Sequence, residues 1–274
     1  NILPVNNRFR FYPALSLGWM ASEENVISEI GAIDNLKLRT SAGWVGLEPN
    51  VRYLDLEKFG GGGNYFYGDN NSSQGSLQED RRANPAVDPE KSFVSNIGFD
   101  AQLLNGLSLN VDLFYENRSQ ILVSDANSTS NVMGIAGTMV NDGVVENKGI
   151  EIGALWNQNI GDFSYSLEAQ YSFARNKIIE QNEIFHEWNY LKRTGQRVGQ
   201  PFGLQDNGFW GVNDGLNGVN NITPDGVVYT YTSVLKPGDV RYVDQNGDNK
   251  IDEFDMIPLG YSWLPEIYFS FSLS

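Results

Sequence analysis

The feature that most constrains the fold of this chain is a long alternation of apolar and polar residues. Between residues 163 and 173 every odd position carries Phe, Tyr, Leu or Ala, and every even position carries Ser, Glu or Gln. Successive side chains of a β-strand point to opposite faces, so this segment is expected to be a strand with one apolar and one polar face. Its length suits a membrane-crossing strand of about 9–11 residues, whereas a typical soluble strand has roughly 5–6.

The same alternation recurs along the chain and predicts about seven strands in all. Helical periodicity is confined to a short turn at residues 22–33. The other predicted strands lie at residues 9–19, 36–44, 93–102, 107–116, 150–157 and 267–273.

Connections between the predicted strands alternate between short and long. The short joints lie at residues 22–35, 103–106 and 158–162, and the long polar segments at residues 46–91, 120–148 and 176–262. Soluble domains rarely contain such long loops. Bacterial outer-membrane barrels have this asymmetry, with tight periplasmic turns and long extracellular loops. The glycine run at residues 60–63 is expected to be a flexible part of the first long segment.

A soluble β-sandwich is the alternative fold, since half-buried strands also alternate. Strand length, loop asymmetry and the aromatic residues at both ends of the apolar face favour a membrane barrel, whose hydrocarbon band is flanked by two aromatic belts. We therefore predict an all-β fold, an antiparallel transmembrane β-barrel. In this fold Leu109, Leu167 and Ala169 face lipid, while Asn110 and Ser166 face a wet lumen.

The strand count predicts that this barrel is incomplete. A bacterial single-chain barrel needs an even number of strands, and about seven are too few for the wide lumen that the loops suggest. The last strand also stops at Ser274 without the usual terminal aromatic residue. Residues 1–274 are therefore expected to be an internal part of a larger barrel.

Composition excludes several functional classes. The chain has 19 Lys and Arg against 34 Asp and Glu, a net charge of −15, which would repel nucleic acid. It has no Cys, which excludes disulfides, Cys-ligated zinc and a thiol nucleophile. The single histidine, His186, has no Ser–Asp arrangement around it in the sequence, so an enzyme is not expected. The chain also lacks the roughly 18 consecutive apolar residues of a membrane helix.

Short motifs from residue 84 onward carry a family resemblance. Asn84-Pro85, Glu90-Lys91 and SNIGFD at residues 95–100 together resemble a signature of SusC/RagA-type TonB-dependent transporters, although residues 86–89 depart from it. Further pieces occur in the family's order and at consistent spacing. They are NGLSLNVD at 105–112, NKGIE at 147–151, RTGQ at 193–196, GQPFG at 199–203, GDVRY at 238–242, DQNGD at 244–248, IPLG at 257–260 and LPEIY at 264–268.

The resemblance implies the C-terminal part of a barrel of about 22 strands, in a multi-pass protein of the outer membrane of a Bacteroidetes-like bacterium. The plug domain and the TonB box would precede Asn1. The implied function is nutrient import energised through TonB, with a SusD-like surface lipoprotein as partner and a glycan oligosaccharide or a peptide as substrate.

Residues 244–255 form a candidate calcium loop. Oxygen ligands at its positions 1, 3 and 5, a backbone carbonyl at 7, a water-linked side chain at 9 and a carboxylate at 12 fit Ca²⁺. The ligands would be Asp244, Asn246, Asp248, Lys250, Asp252 and Asp255. Asn249 takes the place of the usual turn glycine, and Ile251 is the apolar anchor. The ion would be structural; a solvated Asx-rich turn is the alternative.

Four aromatic residues of the last long segment are candidate substrate contacts: Trp188, Tyr190, Phe209 and Trp210. Exposed aromatics can stack on sugar rings or hold peptides, but they also anchor their own loops. Two other protein classes remain open, a soluble secreted glycan-binding β-sandwich and an outer-membrane hydrolase. Dependence on detergent would separate the barrel from the first, and activity on ester, peptide or glycan substrates would favour the second.

Overall fold

The computed structural model describes residues 3–103, 106–125 and 137–274. The chain forms two compact units, one made of Asn1–Ile184 with Pro265–Ser274 and the other of Phe185–Leu264. Within the described residues, no helix has the length and apolar character to cross a membrane.

A single antiparallel sheet of seven strands dominates the first unit. The seven strands lie in the sheet in the order in which they occur in the chain. A hairpin is inserted in the sequence after the second of these strands, and the second unit is inserted before the seventh. The sheet strands, in spatial order, are β1 (Ala14–Met20), β2 (Ile33–Leu47), β5 (Glu90–Leu103), β6 (Leu107–Ser124), β7 (Met139–Ile160), β8 (Phe163–Glu180) and β15 (Ile267–Leu273).

The predicted count of seven strands is confirmed, and so is the short helical turn between the first two. That turn contains a 3-10 helix at Ala21–Glu23 and the helix α1 at Asn25–Ser28. Both tight hairpins are confirmed by pairing of Leu103 with Leu107 and of Ile160 with Phe163. Residues 104 and 105 of the first predicted turn lie outside the described residues.

Two of the predicted long loops are wrong in part, because strands continue into them. The inserted hairpin, β3 (Lys58–Tyr67) and β4 (Ser72–Arg81), fills much of residues 46–91. Most of the described part of 120–148 belongs to β6 and β7, and residues 126–136 of this segment are not described. In β6 the alternation is broken by a register irregularity between Arg118 and Leu122, and Leu122 and Met139 pack against a buried cluster of loop residues, although the backbone ladder continues there.

Two smaller predictions are also corrected. The glycine run at residues 60–63 is part of β3, with an irregular register to β4 between Gly61 and Asn64, and the Ser76 hydroxyl donates a hydrogen bond to the Gly63 carbonyl at 2.6 Å. Glycine offers no side chain from which a strand pattern could be recognised. The first sheet strand begins at Ala14 and not at Phe9, since the paired register with β2 starts there.

The register aligns the apolar residues of all seven strands on one face. One row of directly paired positions crosses the whole sheet through Trp19, Leu38, Phe99, Val111, Ile152, Tyr171 and Phe269. The next row towards the long loops contains Leu17, Thr40, Ile97, Leu113, Ile150, Phe173 and Ile267. Apolar rows of this kind form a continuous band, which we call the apolar face.

Within the described residues of the first unit, nothing covers this apolar face. No large apolar side chain of the seven strands is buried, and Ala101 is their only buried apolar side chain. Leu15 is 68% exposed and Phe269 is 83% exposed. A soluble β-sandwich would pack a second sheet against such a band. Monomeric soluble proteins rarely expose apolar patches of this extent, so the sandwich alternative is disfavoured.

Aromatic residues border the apolar face along a slanted line. Trp44 and Phe93 are cross-strand partners with ring centroids 5.2 Å apart, at the end of the band nearer the long loops. On β6 the border residue is Tyr115, which lies one same-face row closer to the tight turns than Trp44 and Phe93. On β8 the border residue is Phe173, which lies two rows closer. Strands that tilt by about 35–45° in a barrel produce this slant between hydrogen-bonded rows and the membrane plane.

The opposite border descends in the same direction. It contains Trp19 on β1, Trp156 on β7, and Tyr165 and Phe163 on β8. Trp156 and Tyr165 meet edge to face, with ring centroids 5.9 Å apart. Two parallel aromatic borders therefore enclose the apolar face.

Asn84 of the family signature acts as a junction in the first unit. Its Nδ2 donates to the Met139 carbonyl at 2.8 Å, its Oδ1 accepts from the Ala86 N–H at 3.0 Å, and its own N–H donates to the Leu54 carbonyl at 2.7 Å. Leu54 is buried beside Val87 and Leu3. The signature therefore fixes the loop before β5 to β7 through a satisfied buried amide, and Leu122 of β6 packs against the same buried cluster.

The second unit has its own small core around Trp210, Tyr229, Leu235 and Ile251. Its 3-10 helices are Asn189–Leu191 and Glu253–Asp255. Its strands are short, namely β9 (Phe202–Leu204), β10 (Asp206–Phe209), β11 (Val228–Tyr229), β12 (Val240–Tyr242), β13 (Lys250–Ile251) and β14 (Met256–Pro258). The GQPFG and IPLG motifs, far apart in sequence, pair with each other as β9 and β14.

Candidate functional site

The polar face of the sheet carries a charge cluster that joins three neighbouring strands. Arg39 on β2 binds Asp100 on β5 through Nε and Nη2, both at 3.1 Å. It also binds Asp112 on β6 through Nη1 and Nη2, both at 2.6 Å. The guanidinium is thus bidentate to two carboxylates, an arrangement that fixes its orientation. Asp112 is only 8% exposed.

A glycine makes this arrangement sterically feasible. In register, Arg39 lies opposite Gly98 of β5, and Gly98 lies opposite Asp112 of β6. A Cβ at Gly98 would lie 2.5 Å from Asp112 Oδ1 and 2.7 Å from the Val111 carbonyl oxygen. The ion pair therefore spans β5 only because position 98 has no side chain.

Two further glycines leave room on the same face. A Cβ at Gly153 would lie 2.3 Å from Asn110 Oδ1, and one at Gly149 would lie 2.6 Å from Phe114 Cζ. The polar-face side chains of β6 therefore lie flat across glycines of their neighbours. Beside them is an open concavity of 530 Å³ whose polar lining includes Asn110, Glu151, Gln170, Ser172, Tyr268 and Ser270.

The electrostatic balance of this face is mildly negative. Glu151 lies directly opposite Asp112, and Lys37 directly opposite Asp100. Three carboxylates therefore share two cations in the centre of the face. Such a surface offers hydrogen bonds and charge to a polar solute.

The sequence interpretation missed this cluster. A signal was available, because Arg39, Asp100 and Asp112 all occupy the polar parity of neighbouring strands. Recognising the contact also required the register that sets Gly98 between them.

The candidate calcium loop adopts a series of Asx turns. Asp244 accepts from the N–H groups of Gly247 at 2.7 Å and Asn249 at 2.9 Å. Asn246 accepts from the Asp248 N–H, and Asp248 accepts from the Lys250 N–H. Asn249 has φ of 63°, the left-handed conformation expected where it takes the place of glycine.

The final residues of the loop are held by the protein's own backbone. Asp255 is fully buried, and its two carboxylate oxygens accept from the N–H groups of Gln245 at 2.8 Å and Asp252 at 2.9 Å. Ile251 is 1% exposed, as expected of the apolar anchor. In the part of the chain that the structure describes, no group of three or more His, Asp and Glu side chains is gathered as a metal site would require. Calcium binding therefore stays a prediction.

Trp188 and Tyr190 lie together in the second unit. Their rings stack with centroids 6.4 Å apart, and Trp188 also contacts Phe254 at 5.7 Å. The Tyr190 hydroxyl donates to the Phe254 carbonyl at 2.9 Å. Burial raises the pKa of Tyr190, and the carboxylates of Asp255 and the other loop aspartates raise it further, so the hydroxyl keeps the proton that it donates.

Phe209 and Trp210 differ sharply in exposure. Trp210 is 6% exposed and belongs to the core, with the Arg241 guanidinium 4.8 Å from its ring centroid. Phe209 is 73% exposed. A role of the four aromatics in substrate binding stays a prediction, which Phe209 suits best by its exposure.

An uncovered apolar band between two slanting aromatic borders, backed by a polar and charged face, defines a membrane β-barrel protein of the outer-membrane type. The sequence model of the family described as TonB dependent receptor-like, beta-barrel matches residues 3–268. The chain belongs to this family, and its motifs are of the SusC/RagA type, as the sequence predicted. The protein is therefore placed in the bacterial outer membrane.

Similar proteins support this assignment. TonB-dependent receptor P39 of Formosa agariphila is 26% identical over 88% of this chain and 25% of its own length. TonB-dependent receptor SusC of Bacteroides thetaiotaomicron is 25% identical over 91% of this chain and 24% of its own length. A solved structure of the RagAB peptide transporter matches 99% of this chain and 28% of that chain, with a TM-score of 0.70 and 16% identity, and so supports the fold. The chain spans about a quarter of the relatives that it matches.

Proposed function

We propose that this chain is the C-terminal part of the barrel of an outer-membrane nutrient importer that is energised through TonB. The observation that carries the proposal is the polar face, where Arg39 is held between Asp100 and Asp112 on the side of the sheet away from lipid. A lumen lined in this way keeps a polar solute hydrated while it crosses the membrane. Family membership supports the same role.

The proposed substrates are glycan oligosaccharides or peptides, and the proposed partner is a SusD-like surface lipoprotein. SusC and the RagAB peptide transporter are among the similar proteins, which motivates both substrate classes. The TonB contact and the plug would belong to sequence that precedes Asn1. The family is one of receptors and transporters, so this chain is assigned no bond-breaking step.

Uptake by whole cells tests this proposal. Deletion of the gene in its source bacterium should abolish depletion of either oligosaccharides or oligopeptides from the medium, and the full-length gene should restore it. A protonophore should block the restored uptake, because TonB-dependent import draws on the proton gradient. Unchanged uptake of both substrate classes in the deletion strain would contradict the proposal.

We further propose that residues 244–255 bind a structural Ca²⁺ ion in the second unit. The Asx turns and the positive φ of Asn249 support this, since they bring the oxygen-bearing residues into one tight loop. The expected dissociation constant is roughly 10⁻⁴–10⁻³ M, the range of extracellular calcium modules.

Calorimetric titration of the full-length protein with Ca²⁺ tests the loop. The double variant Asp244→Ala, Asp248→Ala is expected to lose the binding heat, because two of the oxygen ligands are gone. A control variant with the same change of charge, Asp69→Ala with Asp206→Ala, should keep it. Identical heats in all three proteins would leave the solvated turn as the explanation.

A further inference from the structure

A group of cations lies just beyond the apolar face, on the same side of the sheet. Lys148 on β7 and Arg175 on β8 are directly opposite each other, in the row that contains Tyr115 of the aromatic border. Lys177 occupies the next same-face position on β8. We call Lys148, Arg175 and Lys177 the basic patch.

The position of the basic patch relative to the membrane follows from the strand order. It lies just beyond the edge of the apolar face that is remote from the tight turn of β7 and β8, Ile160 to Phe163. Tight turns of outer-membrane barrels are periplasmic, so the patch is at the level of the outer leaflet. Immediately below it are Ile150 and Phe173 of the apolar face, and the Arg175 guanidinium lies 5.4 Å from the Phe173 ring centroid.

The cations of the patch are more exposed than the glutamates that they bind. Lys148 binds Glu146 at 3.0 Å and Arg175 binds Glu266 at 2.8 Å. The cationic side chains are 64% and 48% exposed, whereas those of the two glutamates are 21% and 14% exposed. Lys177 makes no ion pair within 4 Å among the described residues, although its charge acts on Glu146. Counted together with Glu146 and Glu266, the patch therefore has one net positive charge, on a chain whose net charge is −15.

Like charges directly opposite in neighbouring strands are destabilising, and Lys148 and Arg175 form such a pair. Glu146 and Glu266 offset part of this repulsion, and an anion between the two cationic side chains would offset more of it, with Lys177 at the next same-face position of β8. An anion above an apolar surface matches a lipid that has a phosphorylated head group and acyl chains. A free phosphate would contact only the cations and not the apolar residues beside them.

We propose that the basic patch binds the phosphate of an anionic lipid of the outer leaflet, whose acyl chains lie on Ile150 and Phe173. Each lysine near a charged membrane surface contributes about a fivefold gain in affinity. The site goes beyond substrate import, because it lies on the lipid side of the sheet and not on the polar face.

Native mass spectrometry of the full-length protein in a neutral detergent tests the site, with monophosphoryl lipid A as the probe and phosphatidylcholine as the neutral comparison. The wild type is expected to retain lipid A and not phosphatidylcholine. The double variant Lys148→Gln, Lys177→Gln should bind lipid A on the order of 20-fold more weakly. The control Lys58→Gln, Lys192→Gln has the same change of charge on two lysines that do not belong to the patch, and it should bind like the wild type.

Three outcomes would overturn the proposal: equal lipid A affinity in the wild type and the double variant, equal retention of phosphatidylcholine, or displacement of lipid A by inorganic phosphate at the same concentration. The single variant Lys177→Gln guards against a folding defect, because Lys177 has no ion pair to lose among the residues that the structure describes. It is expected to reduce affinity about fivefold with unchanged heat-modifiable migration on gels. Uptake is measured in a separate experiment, so a negative result in the lipid-binding test would not contradict the import proposal.

Discussion

Replacing Ala169 by arginine is expected to lower the free energy of unfolding of the full-length protein in phospholipid vesicles by about 2–4 kcal/mol. Ala169 lies in the middle of β8 on the apolar face, between Leu167 and Tyr171 and opposite Ala154 and Phe271. A guanidinium there would have to enter the hydrocarbon core, where neither water nor a carboxylate solvates it. Urea titration followed by the shift between folded and unfolded bands on gels measures the loss.

The adjacent residue supplies the control. Gln170 is on the polar face, where its Nε2 donates to Glu168 at 2.8 Å. Gln170→Arg introduces the same side chain one position along the same strand, and it is expected to cost less than about 1 kcal/mol because the charge stays in water. Equal losses in the two variants, or a larger loss for Gln170→Arg, would mean that the two faces of the sheet have been assigned the wrong way round.

Replacing Arg39 by methionine is expected to cost about 2–3 kcal/mol of unfolding free energy. Breaking a buried ion pair by removing one partner costs about 3–5 kcal/mol, and the value is smaller here because the Arg39 side chain is 33% exposed. The change leaves Asp112 nearly buried, beside Asp100 and directly opposite Glu151, with no bidentate cation. Urea titration in vesicles again gives the difference.

A second substitution separates charge from packing. Adding Asp112→Asn to Arg39→Met removes the uncompensated carboxylate, so the double variant should recover at least half of the loss. Arg118→Met breaks the more exposed pair of Arg118 with Glu116 and should cost no more than about 1 kcal/mol. If Arg39→Met lowered the unfolding free energy no more than Arg118→Met, the charge cluster would not stabilise the sheet.

Much of the sheet could be predicted from period-two patterning because lipid and water impose opposite demands on the two faces of each strand. Beyond the apolar face the pattern is lost. The continuation of β6 to Ser124 and the start of β7 at Met139 were missed because β6 has a register irregularity there and Leu122 and Met139 pack against loop residues. The strand character of the glycine run was missed because glycine has no side chain to show a pattern. Backbone ladders do not need an apolar face, so side chains do not report them.

Site residues were harder to predict than strands. Trp188 and Trp210 are similar aromatics in one polar segment, yet Trp188 stacks on Tyr190 while Trp210 is buried under Arg241. The choice between an exposed contact and a core anchor depends on neighbours that are distant in sequence. No local pattern records those neighbours.

By itself the sequence determined the strand number, the two-faced character of the sheet and the family. Period, spacing and motif order can be read along the chain without knowing which residues are in contact. Only the tertiary structure decided that Arg39 reaches Asp112 across Gly98, that the aromatic borders slant, and that Lys148 meets Arg175. These three features depend on register. A shift of one residue would keep every local pattern and yet turn a whole strand's side chains to the opposite face, so register is decided by the packing of one strand against the next.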